Sequence, residues 1–199
     1  MNGRTSFILF ICLIFASVLS GCSSMKIEDF KSTQPEFVLE EYFEGRTMAW
    51  GLFEDRFGNV QRQFVVTMDG TWDGTTLILN EDFVYNDGET ENRVWTLTKT
   101  DEFNYQGSTQ NSVGIAAGTR SGNAFHWKYD FNLKVGDDTW KVTFDDWMFM
   151  QPNGVLLNKA TVTRWGFKLG TVYLSFSKPA AQAAVKQTAA PELFLVANQ

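Results

Sequence analysis

Cysteine and histidine are nearly absent. The 199-residue chain has two cysteines, Cys12 and Cys22, and one histidine, His126. Both cysteines lie near the start, so no later residue can pair with them. That argues against a disulfide framework and against a cysteine-based metal site. One histidine cannot make the multi-ligand sets that zinc, copper and iron usually take. No metal and no cofactor is expected. Proline is scarce, with four residues. No Gly-x-Ser-x-Gly elbow accompanies the many serines, and no acidic stretch has EF-hand spacing. Basic residues are outnumbered 17 to 23, and the pI is near 4.8. Such a chain lacks the cationic surface that nucleic acid requires.

The only long apolar run is at the start. Arg4 precedes it, and Phe7 to Leu19 is apolar except for Ser17. This run is short for a membrane span and fits the h-region of a signal peptide. Small residues follow, and Leu19-Ser20-Gly21-Cys22 resembles the bacterial lipobox. The expectation is cleavage of residues 1–21 and acylation of Cys22. One acyl chain holds a protein to a bilayer only marginally, whereas several hold it stably. Ser23 follows the cysteine where an inner-membrane lipoprotein carries Asp. The sorting rule this resembles implies the outer membrane, periplasmic side. Residues 22–34 read as the lipidated N-terminus and a polar tether.

From residue 35 the pattern becomes β. Aromatics make up 15% of the chain, including 18 Phe and seven Trp. In "FHWKYDFNL", Phe125, Trp127, Tyr129, Phe131 and Leu133 alternate with His126, Lys128, Asp130 and Asn132, which is the signature of a half-buried strand. "TWKVTF", "NVQRQFVVTM" and "TVYLSF" repeat it. Turn signals separate the runs: Arg56 to Asn59, Asp69-Gly70, Asp73-Gly74, Asn86-Asp87-Gly88, Ser121-Gly122-Asn123, Gly136-Asp137-Asp138 and Pro152-Asn153-Gly154. Their Gly and Asn residues supply the positive φ of tight turns. The fold class expected is all-β, an antiparallel up-and-down β-barrel of lipocalin or calycin type with 8–10 strands over 35–178. Residues 179–199 are Ala-rich and read as a flexible C-terminal tail.

Three segments carry a family resemblance: "NEDFVYNDGETENRVWTL" (80–97), "FDDWMFMQPNGVLLNKA" (144–160) and "WGFKLGTVYLSF" (165–176). They resemble an uncharacterised family of proteobacterial lipoproteins, a domain of unknown function with a lipocalin-like barrel. The resemblance spans about Glu36 to Lys178. It implies a barrel fold and a setting among envelope lipid-modifying proteins, and it brings no catalytic residue with it.

Chemistry-bearing groups are few. The neighbours Glu81-Asp82 and Asp145-Asp146 would point to opposite faces of a strand, so neither forms a dyad alone. A cross-strand pair such as Asp82 with Asp146 stays open. His126 sits among polar residues of its strand and is expected to face outward. No catalytic residue is assigned. The aromatic stripes either fill the barrel or line a cavity for an apolar ligand, and composition leaves both open. The candidate ligand-binding residues are Trp50, Trp127, Tyr129, Phe131, Trp140 and Phe144. Arg93 and Arg164 stand beside tryptophans and could meet a lipid carboxylate or phosphate. Three functional readings follow. The first is an anchored barrel that binds or shields a fatty-acyl or phospholipid ligand in envelope lipid metabolism. The second is a tethered assembly factor with a packed core and protein partners not yet known. The third is a lipid-acting enzyme.

Overall fold

A computed structural model describes residues 25–178. Cys22, the signal segment 1–21 and the tail 179–199 lie outside the described residues. Ten strands run in order: β1 (Gly45–Asp55), β2 (Val60–Trp72), β3 (Thr76–Tyr85), β4 (Thr90–Lys99), β5 (Asn104–Ser108), β6 (Ser112–Ser121), β7 (Ala124–Val135), β8 (Asp138–Met150), β9 (Leu156–Arg164) and β10 (Phe167–Ser177). Each pairs antiparallel with its sequence neighbours, and β1 pairs with β10 to close the barrel. The fold is therefore the expected up-and-down, lipocalin-like barrel. Closure leaves no strand edge unpaired.

Alternation sets the inner face. Val66 and Met68 on β2, Leu77 and Leu79 on β3, Trp95 and Leu97 on β4, and Phe125 and Trp127 on β7 are buried together. A second cluster, Phe131, Val142 and Val162, packs with Phe53, Trp140 and Leu169 nearer the opposite end.

One end is plugged. A short helix, α1 (Leu39–Phe43), buries Leu39, Glu40, Tyr42 and Phe43. Phe37 packs edge-on against Phe125, and Phe43 against Phe176. Glu40 accepts hydrogen bonds from Lys99 Nζ (2.5 Å) and the Tyr105 hydroxyl (2.7 Å). Burial opposes its charge, but these two donors hold the carboxyl below its ordinary value. Upstream, a 3-10 turn (Ile27–Phe30) lays Phe30 against Trp147 and Phe149 on the outer wall. Thr33 binds Asn123, so the tether segment touches the barrel before the plug begins.

Six of the turn signals mark strand ends, but Asp69-Gly70 does not. Gly70 lies within β2, paired with Gly45 and Leu79. A Cβ there would stand 2.0 Å from the carbonyl oxygen of Phe43. The glycine is needed for the close approach of the plug, not for a turn. All ten strands, the plug and both clusters lie within 25–178, which makes that span a complete folding unit. Gly70→Ala should force α1 off the barrel end and cost about 1–3 kcal/mol. Thermal denaturation of residues 25–178 should then show a midpoint lowered by several degrees.

Candidate functional site

The barrel is hollow. A cavity of about 340 Å³ runs from Leu39 and Phe43 of the plug to Phe53 and Lys134 near the open mouth. Its walls are mainly Phe64, Val66, Leu79, Phe83, Trp95, Trp127, Tyr129, Phe144, Val172 and Leu174. The volume falls within the usual range for small-molecule sites, roughly 300–1,000 Å³.

Charged groups interrupt this apolar wall partway along. Glu81 on β3 stands directly across from Arg93 on β4. Arg93 donates to Glu91 (2.7 Å), which also accepts the Tyr85 hydroxyl (2.9 Å). The Arg93 guanidinium lies over the rings of Phe83 (4.8 Å) and Phe131 (4.7 Å). Its Nε is buried with no hydrogen-bond partner. Nearer the mouth, Arg62 lies 3.5 Å over the Tyr85 ring and pairs with Asp87 and Glu89 of the β3–β4 turn. Across the barrel, Asp146 on β8 accepts from Asn158 Nδ2, whose other bond goes to the Trp147 carbonyl (3.2 Å).

Burial shifts the proton affinities of this belt. It pushes the Glu81 carboxyl up to about 7, against the pull of Arg93 and with Glu91 and Asp146 adding to the rise. It also pushes Asp146 up to about 7, against the Asn158 hydrogen bond. Tyr129 and Tyr85 are raised for the same reason and stay protonated. Glu91 goes the other way: Arg93 and the hydrogen bonds outweigh burial and keep it ionised. Glu81 remains in contact with the cavity rather than sealed in packed side chains, because it is only partly covered and lines the chamber. The belt therefore combines a fixed Arg93–Glu91 pair with two carboxyls whose proton affinities are raised toward neutrality.

The candidate residues divide. Trp127, Tyr129, Phe144 and Arg93 line the cavity. Phe131 and Trp140 belong to the second cluster toward the mouth. Arg164 reaches that end too, stacked between Trp140 (4.3 Å) and Trp165 (4.2 Å). Trp50 faces outward, 37% exposed, beside Leu157 and Tyr173 in a shallow groove on the outer wall. It takes no part in the chamber. Small residues occupy the inward positions beside it: a Cβ on Gly51 would meet the Phe64 ring at 2.7 Å.

The sequence pattern points to only part of the chamber's polar lining. Adjacent acids do point to opposite faces, yet the inward members are Glu81 and Asp146. Asp82 faces out, where it accepts from Asn92 (2.7 Å). Glu81 enters the sequence reading only as the neighbour of Asp82, and Glu91, Arg62 and Asn158 do not enter it. The Trp95-Leu97 phase of β4 carried a signal for Glu91 and Arg93, since both share its inward parity. His126 lies on the outer face, stacked on Trp147 at 4.2 Å with Nε2 3.0 Å from Asp145. Among the described residues, no cluster of three or more His, Cys, Asp or Glu is arranged to hold a metal.

A family model for a protein of unknown function, DUF3833, matches residues 16–178. The chain belongs to that family. The match begins six residues ahead of Cys22 and ends one residue past β10, so it takes in the whole barrel. A search among curated proteins finds no match.

The belt makes stability depend on pH. Between about pH 4 and 7 the folded barrel keeps protons on Glu81 and Asp146 that the unfolded chain releases. Stability therefore falls as pH rises through that window, on the order of a few kcal/mol. Below about pH 4 the sign reverses, because Asp55, Asp73 and Asp101 are held below their ordinary values. Denaturation midpoints for residues 25–178 should be higher near pH 5.5 than near pH 8. Glu81→Gln with Asp146→Asn should flatten that slope, and a slope that persists in the double variant would refute the assignment.

Proposed function

We propose that the protein is an outer-membrane lipoprotein, anchored through Cys22 on the periplasmic side, whose barrel binds a fatty-acyl or phospholipid ligand in envelope lipid metabolism. The observation that carries the reading is the hollow interior, an apolar chamber crossed by a single charged belt. An acyl chain would lie along Phe64, Trp127, Val172 and Leu174. Burying such a chain contributes roughly 25 cal/mol per Å² of apolar surface, before association costs are subtracted. The acidic head would reach the belt, where protonated Glu81 and Asp146 donate hydrogen bonds and Arg93 offers its unpartnered Nε. The lipobox-like Leu19-Ser20-Gly21-Cys22, inside the family match, supports the anchored half of the proposal.

A second reading has its own support. Two carboxyls with proton affinities near neutral, inside one apolar chamber, are the equipment of general acid–base chemistry. A lipid-acting enzyme would use Glu81 and Asp146. Chemical change of a bound lipid during incubation, lost in Glu81→Gln, is its signature.

The deciding experiment is native purification of residues 25–178 followed by extraction and lipid mass spectrometry. A stoichiometric acyl species is expected. Binding of a fluorescent fatty acid should tighten as pH falls from about 8 to about 6, because the belt loses negative charge that repels an anionic head. Ala160→Phe places a ring in the chamber beside Asp146 and should weaken binding about tenfold or more with the fold retained. An empty, unresponsive barrel would overturn the proposal and turn attention to protein partners.

A further inference from the structure

The open mouth carries an unusual rim. Two neighbouring hairpin tips, β1–β2 and β9–β10, stand side by side, joined where the Arg56 amide donates to the Leu169 carbonyl (2.9 Å). Three aromatic side chains project from them: Phe57 at 74% exposed, Trp165 at 83% and Phe167 at 72%. Large apolar side chains this exposed and this close together mark a surface that is covered when the protein works.

Cations surround them. Arg56 lies 4.7 Å over the Phe57 ring, and Arg164 lies between Trp140 and Trp165. Lys168 follows Phe167 and is exposed. Among the described residues, none of these three makes an ion pair with a carboxylate, although acids outnumber bases in the chain. Asp55, next to Arg56 in the chain, is turned into its own loop and accepts from the amides of Phe57 and Asn59.

The backbone adds an independent observation. Trp165 has φ +53 and Gly166 φ +81, in a two-residue loop closed by the Arg164–Phe167 pair. This is the type I′ pattern, in which Asn-Gly is favoured. A bulky residue in the left-handed region is strained. Trp165 therefore works against the hairpin it closes, and its indole gains little burial in return. Folding does not explain a tryptophan here, but a surface outside the barrel does.

We infer that this rim docks the mouth of the barrel on a phospholipid surface carrying anionic headgroups. Phe57, Trp165 and Phe167 would enter the interfacial region, where aromatic rings are favoured. Arg56, Arg164 and Lys168 would meet phosphates, to which an anionic surface attracts basic side chains. The inference stands on the outer rim and not on the chamber, so an empty barrel would leave it intact.

The test is co-sedimentation of residues 25–178 with phosphatidylcholine vesicles, with and without phosphatidylglycerol. Wild-type protein should pellet with the anionic vesicles, and salt should weaken the association by screening. Phe57→Ser with Phe167→Ser should keep the wild-type melting temperature and pellet about fivefold less. Trp165→Asn should pellet less while melting higher, because it relieves the turn. Wild-type protein that stays in the supernatant with both vesicles overturns the inference. So does vesicle binding that these substitutions leave unchanged.

Discussion

Closure of the ladder between β1 and β10 is the constraint on which the rest depends. With ten strands paired in a ring, every inward position faces a common interior whose width follows from strand number. Side chains of ordinary size do not fill a ring this wide, even with Trp95, Trp127, Phe64 and Phe83 pointing inward. The molecule meets the excess in three ways. At one end α1 inserts Leu39 and Phe43. Toward the other, Phe131, Val142 and Val162 gather a second cluster. The remaining space stays open from the plug to Phe53 and Lys134.

The belt raises an energetic question. Desolvating charges is costly, and a buried ion pair is weak evidence of stabilisation by itself. Arg93 has its charge met by Glu91, Glu81 and two aromatic faces, yet one buried N–H goes unanswered. Glu81 has no hydrogen-bond donor of its own among the described contacts and carries a raised proton affinity instead. Nonpolar side chains at these positions would serve the fold at least as well. The contrast with Glu40 is instructive. That carboxylate is also buried, but Lys99 and Tyr105 satisfy it and it fastens the plug. The plug uses charge to hold an element in place, whereas the belt leaves polar capacity facing a void.

The fold was legible because alternation is strict where it matters. β7 keeps its aromatic face inward for five residues in register, and its turns are marked by glycine. The site was less legible, for identifiable reasons. In "TLILNEDFVY" both parities carry apolar residues, since Ile78 and Val84 are exposed on the outside. Sequence parity therefore could not choose between Glu81 and Asp82. In β1 the inner positions are Ala49 and Gly51, the latter kept bare by the Phe64 ring, so the bulky Trp50 falls on the outer wall. Gly70 imitates a turn residue because both a turn and a close approach require the missing Cβ. Long-range packing decides each case, and a linear pattern does not contain it. The short β5, with its polar "NYQGS", has too few residues to show a period at all.

Anchor and rim constrain one another if both act. The 3-10 turn at Ile27 packs on the outer wall beside the plugged end, and Cys22 lies five residues upstream. Five extended residues reach at most about 18 Å. β2 alone, at 13 residues, is about 43 Å long. A barrel standing upright on its plugged end would hold its mouth well clear of a leaflet in which Cys22 were anchored. Anchor and rim can share one leaflet only if the barrel lies along it. The wall formed by β8, β9, β10 and β1 connects the two regions. It carries Phe30 and Phe149 at the plugged end, then Leu157, Trp50 and Tyr173, and ends in Trp165 and Phe57 at the mouth. A barrel resting on that wall has its mouth opening at the lipid interface, and an acyl chain could pass from bilayer to chamber without crossing bulk water.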